Sequence, residues 1–258
     1  MKYAACVVPA APVYKEATYK CEMINQLLFG ETVEVLDETG KFWIRIKGVF
    51  DGYEGWVSRG QFEAIEKSLA MQRQVMTVKQ PFTLLQVGNK SMMVPFGSSL
   101  TGLQLMSPFE TKQAFGRSGE VMEWLFKRTE MREEGTATFK AQLGNFSYSY
   151  KIKNKTTPDL RALIGAWLDA PYLWGGRTIM GVDCSGFAQT INKVVGVRIA
   201  RDAHEQALQG RLVNFLQEAE PGDLAFFDDE EGKIVHVEKG VCNDKKMEAI
   251  EDHLDEDK

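Results

Sequence analysis

Residues 183–187 read DCSGF, a cysteine placed where the irregular stretch PYLWGGRTIMGV gives way to a helical pattern. Asp183 is a good N-cap residue, which puts the Cys184 thiol in the first turn of the predicted helix. Unpaired N–H groups and the positive end of the helix dipole stabilise a thiolate at such a position. The same thiol could serve as a small buried hydrophobe, the role assigned to Cys6 and Cys21. The glycine-rich approach and the helix-start position favour a nucleophile for Cys184.

A thiolate nucleophile needs a base, and the chain has three histidines. His236 lies in KIVHVE, a strand-like run after the turn DDEEGK. His204 lies in an amphipathic segment among charged neighbours, where a surface or structural role is expected. His253 sits in NDKKMEAIEDHLDEDK, where ten of sixteen residues are charged, a pattern of solvated chain. A strand-borne histidine facing a helix-borne cysteine is the papain-type arrangement, so His236 is the expected partner.

These residues need elements to hold them. Residues 1–66 read as all-β: KYAACVV, TVEVLDE, FWIRIKG and GWVS are separated by turns such as DETGK and DGYEG, which suits a small barrel. Residues 67–156 continue in that style with QVMTVKQ, FTLLQVG, KSMMVPFG, TATFKAQ and FSYSYKI, and EVMEWLFKRTEM is ambiguous between strand and helix. KNKTTP (153–158) reads as a linker. Beyond it the period changes. PDLRALIGAWLDA carries a helical apolar face, and SGFAQTINKVVG puts Phe187, Ile191, Val194 and Val195 on one side before Gly196 ends the helix. RDAHEQALQGR is a third short helix, and GDLAFFD and KIVHVE read as strands, giving an α+β pattern over 157–258.

Composition narrows the class. The chain has 258 residues, 44% hydrophobic and 26% charged, enough for two or three small domains with real cores. A net charge of −5 without a basic block argues against nucleic acid as a partner. No apolar run reaches transmembrane length, so no membrane partner is expected. MKYAACVVPAAPVY contains two prolines and makes a poor signal peptide, which points to the cytoplasm, with the periplasm or secretion open to a chain whose signal has been removed. Four scattered cysteines lack both disulfide-framework and CxxC spacing, and no HExxH occurs, so no metal or cofactor is expected.

PYLWGG, DCSGF, RIARDAHEQA, PGDLAFF and the following strand histidine together resemble the NlpC/P60 cysteine peptidases. The match runs nearly ungapped from 171 to 237. EMINQLLFGETVEV and DGYEGWV resemble the first bacterial SH3-like domain of a subgroup, the γ-D-glutamyl-L-diamino acid endopeptidases of murein peptide recycling. The resemblance implies two SH3-like barrels (1–66 and 67–156) followed by a papain-like catalytic domain (157–258) in a monomer. It implies Cys184 as nucleophile, His236 as base and Tyr172 as an oxyanion donor beside the cysteine's own N–H. It further implies that Glu22, Tyr53, Trp174, Asp183 and Ser185 bind a stem peptide by its free L-Ala ammonium, the enzyme cutting the γ-D-Glu–L-Lys or γ-D-Glu–diaminopimelate bond.

The pattern departs from the family at its end. A third polar residue, often histidine, is expected about twelve positions after the base. That position holds Glu248, within KKMEA, with His253 as the alternative five residues on. A glutamate can orient an imidazole through Nδ1–H. The altered tail keeps other readings open: a weakened or inactive wall-peptide binding protein, a secreted hydrolase of intact peptidoglycan, or an acyltransferase on the same core.

Overall fold

A computed structural model describes residues 1–72, 75–105, 137–152, 164–213, 215–220 and 222–239. EVMEWLFKRTEM, the whole linker, the start of PDLRALIGAWLDA, Glu248 and His253 lie outside the described residues. The described residues are mostly β with few helices, the β modules first and a mixed α and β module last.

The first module is a seven-stranded antiparallel sheet of β1 (Tyr3–Cys6), β2 (Ala10–Tyr14), β3 (Met23–Leu28), β4 (Thr32–Thr39), β5 (Trp43–Gly48), β6 (Glu54–Ser58) and β7 (Phe62–Ala64), ordered β3-β2-β6-β5-β4-β1-β7. Strand β5 shows why it forms: Ile44 and Ile46 point into the core while Arg45 and Lys47 point out, both reaching Glu54 on β6. Ala4, Cys6, Val13, Leu27, Val33 and Val57 complete that core.

A short helix, α1 (Lys67–Ala70), leads to a five-stranded sheet of β8 (Phe82–Val87), β9 (Lys90–Pro95), β10 (Gln104–Leu105), β11 (Ala137–Leu143) and β12 (Phe146–Ile152), ordered β10-β11-β12-β8-β9. Its core borrows Ala5 and Phe29 from the first module, and Phe29 packs edge-on against Tyr148 at 5.1 Å.

The last module begins with the hairpin β13 (Arg177–Thr178) and β14 (Gly181–Val182), followed by α2 (Cys184–Val194), the single-turn α3 (Ala203–Gln206), and the paired strands β15 (Leu224–Asp228) and β16 (Ile234–Lys239). Helix α2 ends as its sequence requires. Gly196 takes φ +87°, its N–H bonds Lys193, and Val197 N–H bonds Asn192, a Schellman closure. Ile191 and Val194 are buried with Phe96 and Trp167, whereas Val195 forms the C-cap and stays half exposed. The opposite face is also covered, and it carries Gln189, Asn192 and Lys193.

One buried charge cluster joins the three modules. Glu31 accepts from Arg177 through both carboxylate oxygens at 2.9 Å and from Lys193 at 2.5 Å, and Lys193 also donates to the Gly97 carbonyl at 2.7 Å. Burial works against the Glu31 carboxylate, but the two cations outweigh it and bring its pKa down to about 2. Burial pushes the Lys193 ammonium below its ordinary value despite that partner.

Candidate active site

The approach to Cys184 is held by backbone. Val182 N–H bonds the Pro171 carbonyl and Leu173 N–H bonds the Val182 carbonyl, both at 3.0 Å, so Tyr172 lies alongside the residues that enter α2. The turn at Gly175 has φ +76°, and a Cβ there would meet the Met23 carbonyl oxygen at 2.8 Å. Only glycine allows this loop to press on β3 of the barrel. Gly175→Ala is therefore expected to cost roughly 1–3 kcal/mol of stability, read from urea unfolding midpoints. A midpoint equal to the wild type would show that the turn can relax away from the barrel.

Asp183 caps α2 through Oδ1, which accepts from Gly186 N–H at 2.7 Å. Its Oδ2 accepts from Gly175 N–H at 2.8 Å and from Arg201 Nη2 at 2.7 Å. Ser185 Oγ accepts from Arg201 Nη1 at 2.8 Å. Both side chains, expected at the peptide-binding surface, are buried and engaged in this network. Cys184 is a free, partly exposed thiol at the first helical residue. Tyr172 is largely exposed. Partial burial of its hydroxyl, then the neighbouring Cys184 thiol and Asp183 carboxylate, raise its pKa above the ordinary phenol value, so it remains a hydrogen-bond donor.

His236 lies on β16, opposite Phe227 of β15, and β16 packs against both α2 and α3. The imidazole tilts over the Phe227 ring at 5.8 Å, with Nε2 3.6 Å from Glu238 Oε1. Among the described residues no hydrogen bond joins it to Cys184. The structure sets the two groups on contacting elements. His204 is exposed on α3. No group of three or more His, Cys, Asp or Glu side chains able to hold a metal occurs among the described residues.

The barrel reaches the site at two places. Tyr53, in the DGYEG turn, donates to Asp202 Oδ2 at 3.3 Å, and burial followed by that carboxylate raises its phenol pKa. Glu22 is exposed immediately before β3, with Lys15 Nζ 4.0 Å away, and exposed Trp174 precedes the Gly175 turn that lies on the same strand.

Two residues were missed by sequence reasoning. Asp202 is the N-cap of α3 yet makes no side-chain bond to that helix, and burial raises its pKa. Its carboxylate turns to Tyr53 instead. Arg201 is 1% exposed and its guanidinium meets Asp183, Ser185 and Asn25. The signal was present in RIARDAHEQA: an arginine flanked by Ile199-Ala200 and a capping aspartate.

Residues 169–255 match the NlpC/P60 family, and residues 13–62 match the bacterial dipeptidyl-peptidase Sh3 domain. Over 242 residues the chain is 32% identical to a Bacillus subtilis (strain 168) protein named gamma-D-glutamyl-L-lysine dipeptidyl-peptidase, covering 87% of this chain and 71% of that one. A Bacillus cereus (strain ATCC 10987 / NRS 248) protein of the same name is 27% identical over 236 residues, covering 83% and 63%. The fold is shared with the crystal structure of an NlpC/P60 family protein from Bacillus cereus ATCC 10987, at a TM-score of 0.66 and 20% identity over 93% of this chain and 88% of that one.

Proposed function

Because the chain belongs to the NlpC/P60 family of cysteine peptidases, we propose that it hydrolyses murein-derived stem peptides carrying a free N-terminal L-Ala, at the bond between γ-D-Glu and L-Lys or diaminopimelate. Cys184 attacks the γ-carbonyl as thiolate. Its own backbone N–H and the Tyr172 hydroxyl hold the tetrahedral oxyanion. His236 protonates the leaving amine, and water then cleaves the thioester to release L-Ala-D-Glu. A third group orients His236. Glu248 is assigned on spacing with His253 as the alternative, and the carboxylate facing the ring among the described residues is Glu238.

The observation that carries this reading is the Tyr53–Asp202 hydrogen bond. It brings a barrel turn onto the segment next to Arg201, the residue that grips the start of α2. A site bordered by barrel residues suits a peptide terminus better than a polymer running through. Asp202 keeps one carboxylate oxygen for a cation, and exposed Glu22 offers a second carboxylate. Trp174 supplies an apolar wall. Asp183 and Ser185 contribute by shaping the floor.

Incubation of the protein with L-Ala-γ-D-Glu-L-Lys and its diaminopimelate analogue, followed by mass analysis, tests the reaction. Release of L-Ala-D-Glu is expected; a folded protein that binds the peptide without cutting it would overturn the proposal. N-acetylating the L-Ala amine removes a charge-assisted contact and is expected to lower kcat/KM about ten- to a hundredfold. Equal rates on the two peptides would remove the free amine from the recognition scheme.

A further inference from the structure

The start of α2 is fixed by a residue that none of the chemistry above uses. Arg201 is fully buried, and each of its three nitrogens has a separate partner: Nε donates to Asn25 Oδ1 at 2.8 Å, Nη1 to Ser185 Oγ at 2.8 Å and Nη2 to Asp183 Oδ2 at 2.7 Å. Asn25 belongs to β3 of the barrel and is itself buried, whereas Asp183 and Ser185 flank Cys184 in sequence. Capping α2 does not need this cation, because Asp183 already accepts from Gly186 N–H. Burying a guanidinium is costly unless it is paired and hydrogen-bonded, and here every partner fixes either the nucleophile's turn or the barrel strand beside it. The same strand receives the Gly175 turn that precedes Cys184.

We propose that Arg201 is a positioning residue that ties the nucleophile's helical turn to barrel strand β3, so that the attack geometry at Cys184 is set by the barrel. Gln206 reinforces the arrangement from α3, its Nε2 donating to the carbonyls of Ser185 and Ala200. The barrel is then part of the catalytic geometry. A planar fork serves where an ammonium cannot, since lysine reaches one of these acceptors at a time.

The proposal rests on Cys184 acting as proposed above, and its test reads that separately. The full chain carrying Arg201→Lys, Asn25→Ala or both is assayed for thermal unfolding, for kcat and KM on L-Ala-γ-D-Glu-L-Lys, and for iodoacetamide labelling of Cys184 against Cys21. In folded Arg201→Lys, kcat is expected to fall about a hundredfold with KM within about threefold, the signature of lost orientation. Asn25→Ala should lose roughly tenfold in kcat, and the double variant should be no worse than Arg201→Lys, because both changes break one connection. Labelling of Cys184 should slow about fivefold or more, with Cys21 unchanged. Unchanged kcat and labelling in folded Asn25→Ala, or fully additive losses, would overturn the proposal. Should Arg201→Lys fail to fold, Asn25→Ala and Ser185→Ala decide it, since each removes one arm and leaves the Arg201–Asp183 pair. Should the wild type leave the tripeptide intact, the function fails, and the labelling ratio still decides the positioning role.

Discussion

Cys184→Ala is expected to lower turnover of L-Ala-γ-D-Glu-L-Lys by about four to six orders of magnitude while leaving the unfolding midpoint and peptide affinity near the wild-type values. The side chain is partly exposed at the first residue of α2, and its sulfur makes no hydrogen bond among the described residues. Truncation there removes the proposed attacking atom and little else. The other thiols make the comparison sharp. Cys6 is fully buried and burial pushes its pKa up to about 12, so it offers almost no thiolate at neutral pH. Cys21 is partly exposed but sits in a turn, donating to the Thr18 carbonyl at 3.2 Å. Alkylation in the absence of peptide should therefore mark Cys184 before Cys6 and Cys21. Retained turnover in Cys184→Ala would transfer the nucleophile to another group.

The second large effect is on stability. Glu31→Ala is expected to destabilise the protein by about 3–5 kcal/mol, because it leaves the Arg177 and Lys193 cations buried without their carboxylate. A pH series gives the same interaction a second measure. The folded state holds Glu31 at about 2 against an ordinary 4.5, so the unfolded chain takes up the proton first. The contribution is complete above the ordinary value and is lost as pH falls through the window down to about 2. Its size is on the order of 3 kcal/mol. Urea unfolding of the wild type and Glu31→Gln should therefore differ most at neutral pH and converge in acid. Parallel curves across that window would mean that ionisation of Glu31 is not linked to folding.

The two arginines show where the sequence was legible and where it was not. The barrel strands announce themselves locally, as in β5, where apolar and charged residues alternate. The entry to α2 is equally local, since an N-capping aspartate and a closing glycine lie within one short segment. Arg177 looks like an ordinary surface cation in the sequence because its partner Glu31 lies 146 residues away, and the link from Arg201 to Asn25 spans 176 residues. Asp183 and Ser185 were expected to face the peptide on the strength of their motif alone. A motif records residue types, and it does not record that Arg201 occupies their acceptors. Asp202 stayed hidden for a related reason: its position at the start of α3 accounts for an aspartate without any function, and only the turn of its carboxylate toward Tyr53 reveals another use.

The Glu31–Lys193 contact also has a consequence for synthesis on the ribosome. Its partners are 162 residues apart, an interval that takes roughly ten to thirty seconds to translate. Through that time the nascent barrel carries a carboxylate whose site is built for two cations not yet made. The barrel's own core of Ala4, Val13, Ile44 and Val57 needs no later residue, so the part left waiting for the helix that carries Lys193 is the Glu31 site alone. A carboxylate that stays hydrated until both cations have emerged is thus sealed only when the first and last modules meet.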